Sequence, residues 1–166
     1  MGLASDLTQA ECDLAERADL GRVLDAALAR LGRGRLEVSC RLATQGELRR
    51  LNREFAHLDA TTDVLAFPAA ASRDPDFRMP PAEPGFLGDI VISVRTAISQ
   101  ARVVGRSAED ELRLLAVHGL LHLVGHDHRC PPEAREMAGA TQWLLEGDAQ
   151  DRGAPAPADL PPLTSG

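Results

Sequence analysis

One stretch of this sequence is almost wholly apolar and yet contains two histidines: residues 111–124 read ELRLLAVHGLLHLV. An apolar run of this length and composition predicts a helix that lies deep in the molecule. Ser107 and Asp110 provide the signal for its start, and Gly125 provides the signal for its end. The rest of the chain must therefore supply enough apolar surface to surround this helix.

The 166 residues are enough for one domain with a core of its own. Apolar residues make up 44% of the chain and charged residues 26%, which is ordinary for a soluble domain. No apolar stretch approaches the roughly eighteen residues of a membrane span, and the first residues are acidic, unlike a signal peptide. Cys12, Cys40 and Cys130 are odd in number and widely spaced, which favours free thiols. These features predict a cytoplasmic protein.

Hydrophobic periodicity predicts the other elements. Helices are expected over 18–31, 44–55, 94–104 and 131–147, and strands over 36–42, 63–67 and 89–94. Residues 68–86 contain five prolines and no periodicity, which indicates a loop. Residues 148–166 cannot bury enough surface to order themselves, so we expect a disordered tail. The predicted fold class is α+β, with a single domain over 1–147 in which helices pack on a small mixed sheet.

Four of the five histidines lie in residues 118–128, HGLLHLVGHDH. His118 and His122 are four residues apart on the predicted helix, so both rings project from one face about 6 Å apart along the axis. A turn at Gly125 leaves enough chain for His128 to bring a third nitrogen to the same ion. Zinc with three protein nitrogens keeps one position for water, as catalytic zinc does. We therefore predict one catalytic zinc ion per chain at the end of the buried helix.

Neighbouring side chains are competing candidates for a ligand or a supporting group. His126, Asp127 and Cys130 follow the helix closely, and spacing alone does not exclude them. The alternative to a metal site is a pair of core histidines satisfied by backbone carbonyls. Several desolvated ring nitrogens would then each need a partner, whereas one metal ion satisfies them together, which favours the metal site.

A zinc peptidase of the HExxH type has its glutamate base directly after the first histidine. This chain has Gly119 at that position, which disfavours a peptidase. Glycine in a helix interior costs about 1 kcal/mol relative to alanine, so we expect a close contact with a strand or a ligand to require it. Glu111, two helical turns before His118 on the same side, is a candidate base for another metal hydrolase.

The chain is acidic overall but contains a basic window. The net charge of −7 argues against binding nucleic acid by bulk electrostatics. Within residues 30–53, seven arginines oppose two glutamates, for a local charge of +5. The arginines are Arg30, Arg33, Arg35, Arg41, Arg49, Arg50 and Arg53. Arginine suits bidentate contacts with phosphate, although a solvated surface explains the same charges.

Three segments resemble motifs of the YbeY family, bacterial metal-dependent endoribonucleases that act in ribosomal RNA maturation. HGLLHLVGHDH is similar to the family's HGxLHLxGYDH. LNREFAHLDATTDVLAFP, residues 51–68, resembles LNxxYRxxDxPTDVLSFP, and LGDIVIS, residues 87–93, resembles LGDIxIS. The resemblance implies a sheet of about four strands flanked by helices, and it implies His118, His122 and His128 as the zinc ligands.

The resemblance also implies a substrate and partners. The substrate would be single-stranded RNA, in the form of a ribosomal RNA precursor, cut at its phosphodiester bonds in ribosomal RNA processing and ribosome quality control. Ribosomal small-subunit proteins or a ribosome-assembly GTPase would be the partners, with no membrane and no DNA involved. The surface of residues 30–53 would guide the RNA strand. The alternatives are a zinc peptidase or other metal hydrolase, and a non-catalytic ribosome-associated zinc protein.

Two positions depart from the family motifs. Ala56 stands where the family has an arginine, and the candidate replacements are Arg53, one helical turn earlier, or Arg49 and Arg50, all expected to face outward. His126 stands where the family has a tyrosine, which adds a candidate ligand or proton carrier.

Three other side chains have structural interpretations. Asp63 is expected to accept a hydrogen bond at the entry to its strand rather than to act as a catalytic acid. Trp143, at helical spacing from Met137, is expected to pack at the core edge, because 3% aromatic residues and no tyrosine leave little for base stacking. His57 is expected at the surface.

Overall fold

The structure is a computed structural model that describes residues 2–3, 7–55, 57, 59, 61–69, 85–126 and 131–149. In chain order, the elements of these ranges are β1 (Gly2–Leu3), α1 (Gln9–Ala18), α2 (Leu20–Arg30), β2 (Glu37–Ala43), α3 (Gln45–Phe55), β3 (Val64–Pro68), β4 (Phe86–Ser93), α4 (Val94–Val104), α5 (Ala108–Leu123) and α6 (Pro131–Ala149). The predicted α+β class is confirmed.

The strands form one mixed sheet in the order β1-β2-β4-β3. β2 is parallel to β1 and to β4, and β3 is antiparallel to β4 at an edge. Alternate residues of β4 point to opposite faces, so Ile90 and Ile92 join a large core and Val91 joins a small one. Leu48 of α3 belongs to the small core, which places α3 on the face opposite to α5. The expected small sheet flanked by helices is confirmed.

The large core surrounds α5. Leu112, Ala116 and Leu120 are completely buried, and α1, α2, α4, α6 and the sheet all contact this helix. Burial of a leucine side chain contributes about 1.5–3 kcal/mol, so α5 is a main source of the stability of the domain. Within the described ranges, no helix combines the length and the apolar character needed to cross a membrane.

Helix α1 and the two-residue strand β1 are absent from the predicted elements. The start of α1 is a capping box, in which Thr8 Oγ1 accepts the Glu11 N–H at 3.3 Å and the Glu11 carboxylate accepts the Thr8 N–H at 2.7 Å. Leu14 and Ala18 face the core, but charged residues occupy much of the rest of the helix. The apolar period is therefore weak, and the Thr8-x-x-Glu11 signature was the signal for this helix.

The predicted loop over 68–86 is shorter at both ends, because its first residue belongs to β3 and its last to β4. Gly88 has a φ of +149°, and a Cβ there would lie 2.3 Å from the carbonyl oxygen of Phe67. The two strands thus approach each other too closely for any side chain at this position. Residues 70–84 lie outside the described residues.

The last helix continues beyond its predicted end. α6 runs to Ala149, whereas the sequence predicts an end at Gly147. Two residues of the predicted tail over 148–166 therefore belong to the helix. The prediction of disorder for the remainder is not tested, since residues 150–166 lie outside the described part of the chain.

Glu11 connects α1 to α4. Its buried carboxylate accepts hydrogen bonds from Thr8 and, at 3.0 Å, from Nε of Arg95. The backbone N–H of Thr8 and the guanidinium of Arg95 hold the pKa of Glu11 below its ordinary value of 4.5, although burial opposes them. The ionised carboxylate therefore stabilises the packing of α1.

We expect Glu11→Gln to lower the free energy of unfolding by about 1–2 kcal/mol at neutral pH. Because the folded-state pKa lies below the unfolded-state pKa, this contribution is present above the ordinary pKa of 4.5 and is lost as the pH falls through the folded-state pKa. Urea unfolding across this pH range measures it, with Glu16→Gln, an exposed change on the same helix, as the control. This role would be contradicted if Glu11→Gln lowered the free energy of unfolding by the same amount at acidic pH as at neutral pH.

Candidate metal centre

The two helical histidines of the predicted site lie against each other on α5. The ring centroids of His118 and His122 are 4.9 Å apart, with an angle of 82° between the ring planes. Both side chains are half-buried. Zinc–imidazole bonds are about 2.0–2.1 Å long, so one nitrogen from each ring can reach a common ion. The structure thus brings together two of the three predicted ligands.

The helical turn that carries these rings lies close to the sheet at Gly119. A Cβ at this position would lie 2.8 Å from Cγ2 of Ile90 and 3.2 Å from Cγ2 of Val64. The expected close contact with a strand is confirmed. It also explains why the position of the glutamate base in an HExxH peptidase cannot accommodate that residue here.

The end of α5 turns the chain back toward the histidines. Gly125 has a φ of +99°, and its N–H donates to the carbonyl oxygen of His122 at 3.1 Å. The N–H of His126 donates to the carbonyl oxygen of Leu121 at 2.9 Å, which completes a Schellman motif. Gly125 is confirmed as the stop signal, and the chain reverses beside the turn that contains His122.

Part of the predicted ligand set falls in residues 127–130, which lie outside the described residues. This part comprises Asp127, His128 and Cys130. Among the residues that the structure does describe, no group of three His, Cys, Asp or Glu side chains is placed to hold a metal ion. The third ligand, and with it the zinc ion, stays a prediction.

Two supporting candidates lie at opposite ends of α5. His126 is half-buried, and burial lowers its pKa, with Glu136 acting in the opposite direction. This environment favours the neutral imidazole, which is able to accept a proton. Glu111 lies about 10 Å along the axis from His118, and its buried carboxylate accepts a hydrogen bond from Nη1 of Arg106 at 2.6 Å. Its role as a general base stays a prediction.

The arginines of residues 30–53 do not form one surface. Arg30, on α2, lies over the ring of Trp143 on the large-core side of the sheet. Arg41 pairs with Glu47 at the start of α3, and Arg49 of α3 pairs with Asp59, so both lie on the opposite side. The expectation of one basic surface that guides the RNA strand is wrong. The sequence window crosses the sheet through β2, and the folded chain divides its arginines between the two faces.

Arg53 is exposed on α3, as expected for a residue that faces outward. Near it, Phe55 is 46% exposed and meets the ring of Phe67 edge-on, with 5.3 Å between the centroids. Ala56, which stands at the position of the family arginine, lies outside the described residues. The replacement of that arginine by Arg53 therefore stays a prediction.

The structural interpretation of Asp63 is confirmed. Its carboxylate accepts hydrogen bonds from the N–H of Val64 at 2.8 Å and from Nε2 of Gln100 at 3.0 Å. Its carbonyl oxygen accepts the N–H of Ser93 at 2.8 Å, so Asp63 joins the start of β3 to the end of β4 and to α4. The contact with Gln100 has no local sequence signal, because the two residues are distant in the chain.

Most of the chain, including the helix with His118 and His122, matches one protein family. The family model described as Endoribonuclease YbeY matches residues 7–147. The Endoribonuclease YbeY of Moorella thermoacetica is 45% identical over 132 residues, which are 77% of this chain and 83% of that protein. The Endoribonuclease YbeY of Gloeobacter violaceus is 47% identical over 114 residues, 69% of this chain and 58% of that protein.

A solved structure supports the fold. The solution structure of TM1509 from Thermotoga maritima has a TM-score of 0.54 and 24% identity to this chain, and the match covers 87% of this chain and 86% of that one. Fold and site together define a class of small α+β proteins with two histidines paired on a buried helix. Within that class, this chain belongs to the YbeY family. The resemblance of the three sequence motifs is thereby confirmed.

We expect Gly119→Ala to destabilise the protein, although alanine is the better helix former. The new Cβ would force Ile90 and Val64 to shift, and such overpacking costs about 1–3 kcal/mol, against a gain in helix propensity of about 1 kcal/mol. Gly139 of α6 is the matched control, since a Cβ there meets no heavy atom within 4 Å. Gly139→Ala should raise the midpoint of urea unfolding and Gly119→Ala should lower it. Shifts of the same sign and size would show that α5 is not held this close to the sheet.

Proposed function

We propose that this chain is a zinc-dependent endoribonuclease that cuts single-stranded RNA during ribosomal RNA maturation in the cytoplasm. Endoribonuclease activity follows from membership of the family. Zinc, the preference for single strands and the ribosomal substrate are the parts that we propose. The pairing of the His118 and His122 rings on a helix packed in the core is the observation that supports zinc, and membership of the YbeY family supports the two statements about the substrate.

The described residues fit a zinc ion. Imidazole nitrogen is a preferred zinc donor, and two such rings are placed together on one helix. His128 would supply the third nitrogen, from the segment that the turn at Gly125 leads into. When bound, zinc supplies positive charge to phosphate oxygens and lowers the pKa of a water molecule to about 7.

The protein's own residues would orient the substrate and move protons. α5 is packed between the sheet and helices α1, α2, α4 and α6, so its backbone would keep the rings of His118 and His122 in position while a strand binds. His126, whose neutral form is favoured, is the candidate proton acceptor. The half-buried setting of the rings reduces the screening of charge by water, which strengthens their electrostatic action on a phosphodiester group.

We expect His118→Asn to abolish RNA cleavage and to reduce the zinc content below one ion per chain. His57→Asn is the matched control, because His57 is exposed and has a φ of +55°, a conformation that asparagine tolerates. Cleavage of labelled single-stranded RNA is measured with and without a chelator. Zinc should also stabilise the wild type, by about 2.7 kcal/mol at a hundred times its Kd, and should stabilise His118→Asn much less.

The same assay includes a denatured protein as a second substrate. Cleavage of that protein instead of RNA would indicate a zinc peptidase. Stabilisation by zinc with neither substrate cut would indicate a non-catalytic zinc protein. RNA cleavage that survives in His118→Asn or in thoroughly chelated wild type would refute the zinc-dependent mechanism.

A further inference from the structure

Phe55 is exposed, unlike the other aromatic residues that the structure describes. It is the last residue of α3 and is 46% exposed, whereas Phe67 and Phe86 are half-buried. Trp143 is also half-buried, as expected for a residue at the core edge, and Cζ of Arg30 lies 4.2 Å from its ring centroid. One exposed ring is ordinary by itself, so its surroundings decide whether it has a function.

The ring of Phe55 is oriented by its contact with Phe67. The two rings meet edge-on, with an angle of 64° between their planes. Phe67 in turn packs against the small core, as does Leu51 of α3. An edge-to-face pair contributes about 0.5–1.5 kcal/mol beyond the burial of its area. The Phe55 ring is therefore preorganised, which lowers the entropic cost of binding a ligand against it.

The two phenylalanines lie at the end of the sheet that faces the last turn of α5. Phe67 directly precedes the residue of β3 that pairs with Gly88 of β4. A Cβ at Gly88 would lie 3.0 Å from Cδ2 of Leu123, which follows His122 in α5. The pair of Phe55 and Phe67 and the candidate metal centre thus occupy the same end of the domain, on opposite faces of the sheet.

Strand β3 lies between these two places. It is the last strand in the sheet order, so the two faces of the sheet meet at its outer edge. Val64 of β3 lies against Gly119, the residue next to His118, whereas Phe67 of the same strand contacts Phe55 on the other face. A polymer that bound along the outer edge of β3 would therefore reach both the histidines and Phe55.

The charges around the two rings suit a nucleic acid. Arg50 and Arg53 are exposed on α3 and attract phosphates, with the exposed Glu54 opposing one of them. Asp89 lies directly across from Phe67 on β4, where opposed Cβ atoms are about 4.5–5.5 Å apart. A carboxylate repels phosphate and accepts hydrogen bonds from the amino groups of bases. The rings are therefore suited to a base, and the outer side of α3 is suited to phosphates.

We propose that Phe55 is a stacking platform for one base of the single-stranded RNA substrate, whose backbone passes the outer edge of β3 to reach the metal centre. The proposal deepens the function proposed above and rests on it. Proteins bind single-stranded RNA through unstacked bases on aromatic rings, and each such contact contributes about 1–3 kcal/mol. A base within a duplex is already stacked and paired, so Phe55 would contribute to the preference for single strands.

Two substitutions of Phe55 separate stacking from packing. Phe55→Leu keeps an apolar side chain against Phe67 but removes the aromatic face, and Phe55→Trp keeps an aromatic face. Val103→Ala, which truncates a residue of α4 that is 86% exposed, controls for the loss of exposed apolar surface. The anisotropy of a terminal label on a single-stranded RNA decanucleotide gives the Kd for the full-length, zinc-loaded protein, and a gel checks that the probe stays intact.

We expect Phe55→Leu to raise the Kd of the decanucleotide about 5- to 150-fold, and we expect Phe55→Trp and Val103→Ala to change it little. The slope of log Kobs against log salt should be the same for all variants, because no phosphate contact is removed. Thermal unfolding well above the assay temperature and unchanged zinc content show that the variants fold.

An abasic scan of the decanucleotide tests whether a base is the ligand. Each nucleotide in turn is replaced by an abasic one, which keeps the phosphate. With wild type, one position should weaken binding by the same factor as Phe55→Leu, at a fixed number of nucleotides from the bond that is cut. With Phe55→Leu, that position should have no further effect, because both changes remove the same contact.

Several outcomes would overturn the platform. If wild type cuts RNA while Phe55→Leu matches Val103→Ala in Kd, the platform is refuted and the proposed function stands. Equal losses in Phe55→Leu and Phe55→Trp, with no abasic position affected, would assign Phe55 to packing. A loss of affinity for oligolysine but not for RNA would assign this surface to a basic protein. If zinc-loaded wild type binds RNA without cutting it, the proposed function fails and the abasic scan still decides the stacking; if it binds no RNA, both are refuted.

Discussion

The close contact of α5 with the sheet is the constraint on which the candidate metal centre depends. At Gly119 the helix backbone lies against Ile90 and Val64, with no room for a side chain. The helix also packs against α1, α2, α4 and α6, and its last turns carry the half-buried side chains of His118 and His122. A ligand pair held by core packing stays in place without the metal, so the protein does not have to order these two rings when an ion binds.

The polar residues of interest lie where buried helices end. α5 and α2 both finish in a Schellman motif with a glycine in the left-handed region, at Gly125 and Gly32. Each motif reverses the chain and leaves a polar residue, His126 or Arg33, beside the last helical turn. Glycine is suited to both positions because a Cβ disfavours this backbone conformation. One local device thus ends both helices, including the one that carries His118 and His122.

Local rules account for what the sequence predicts correctly. The burial of α5, its end at Gly125 and the close contact at Gly119 follow from composition, capping and the cost of a helical glycine. These rules miss helix α1, because its apolar face is small and the helix is stabilised mainly by its capping box and by the contacts of Glu11. The same rules miss the division of the arginines, because a sequence window does not show that β2 and α3 place Arg41 and Arg49 on the opposite face of the sheet from Arg30. The contact of Arg30 with Trp143 joins two distant parts of the chain, so no local pattern predicts it.

The net negative charge of the chain is compatible with RNA binding when the positions of the individual charges in the fold are considered. A net charge of −7 repels a polyanion at long range, so bulk electrostatics cannot supply the affinity. Pairs such as Arg41 with Glu47 and Arg49 with Asp59 further neutralise the basic window. An acidic protein of this kind must bind a phosphate chain through a few directed contacts at separate points. A zinc ion held by His118 and His122, as proposed above, would be one such contact, because it places positive charge at a single fixed point.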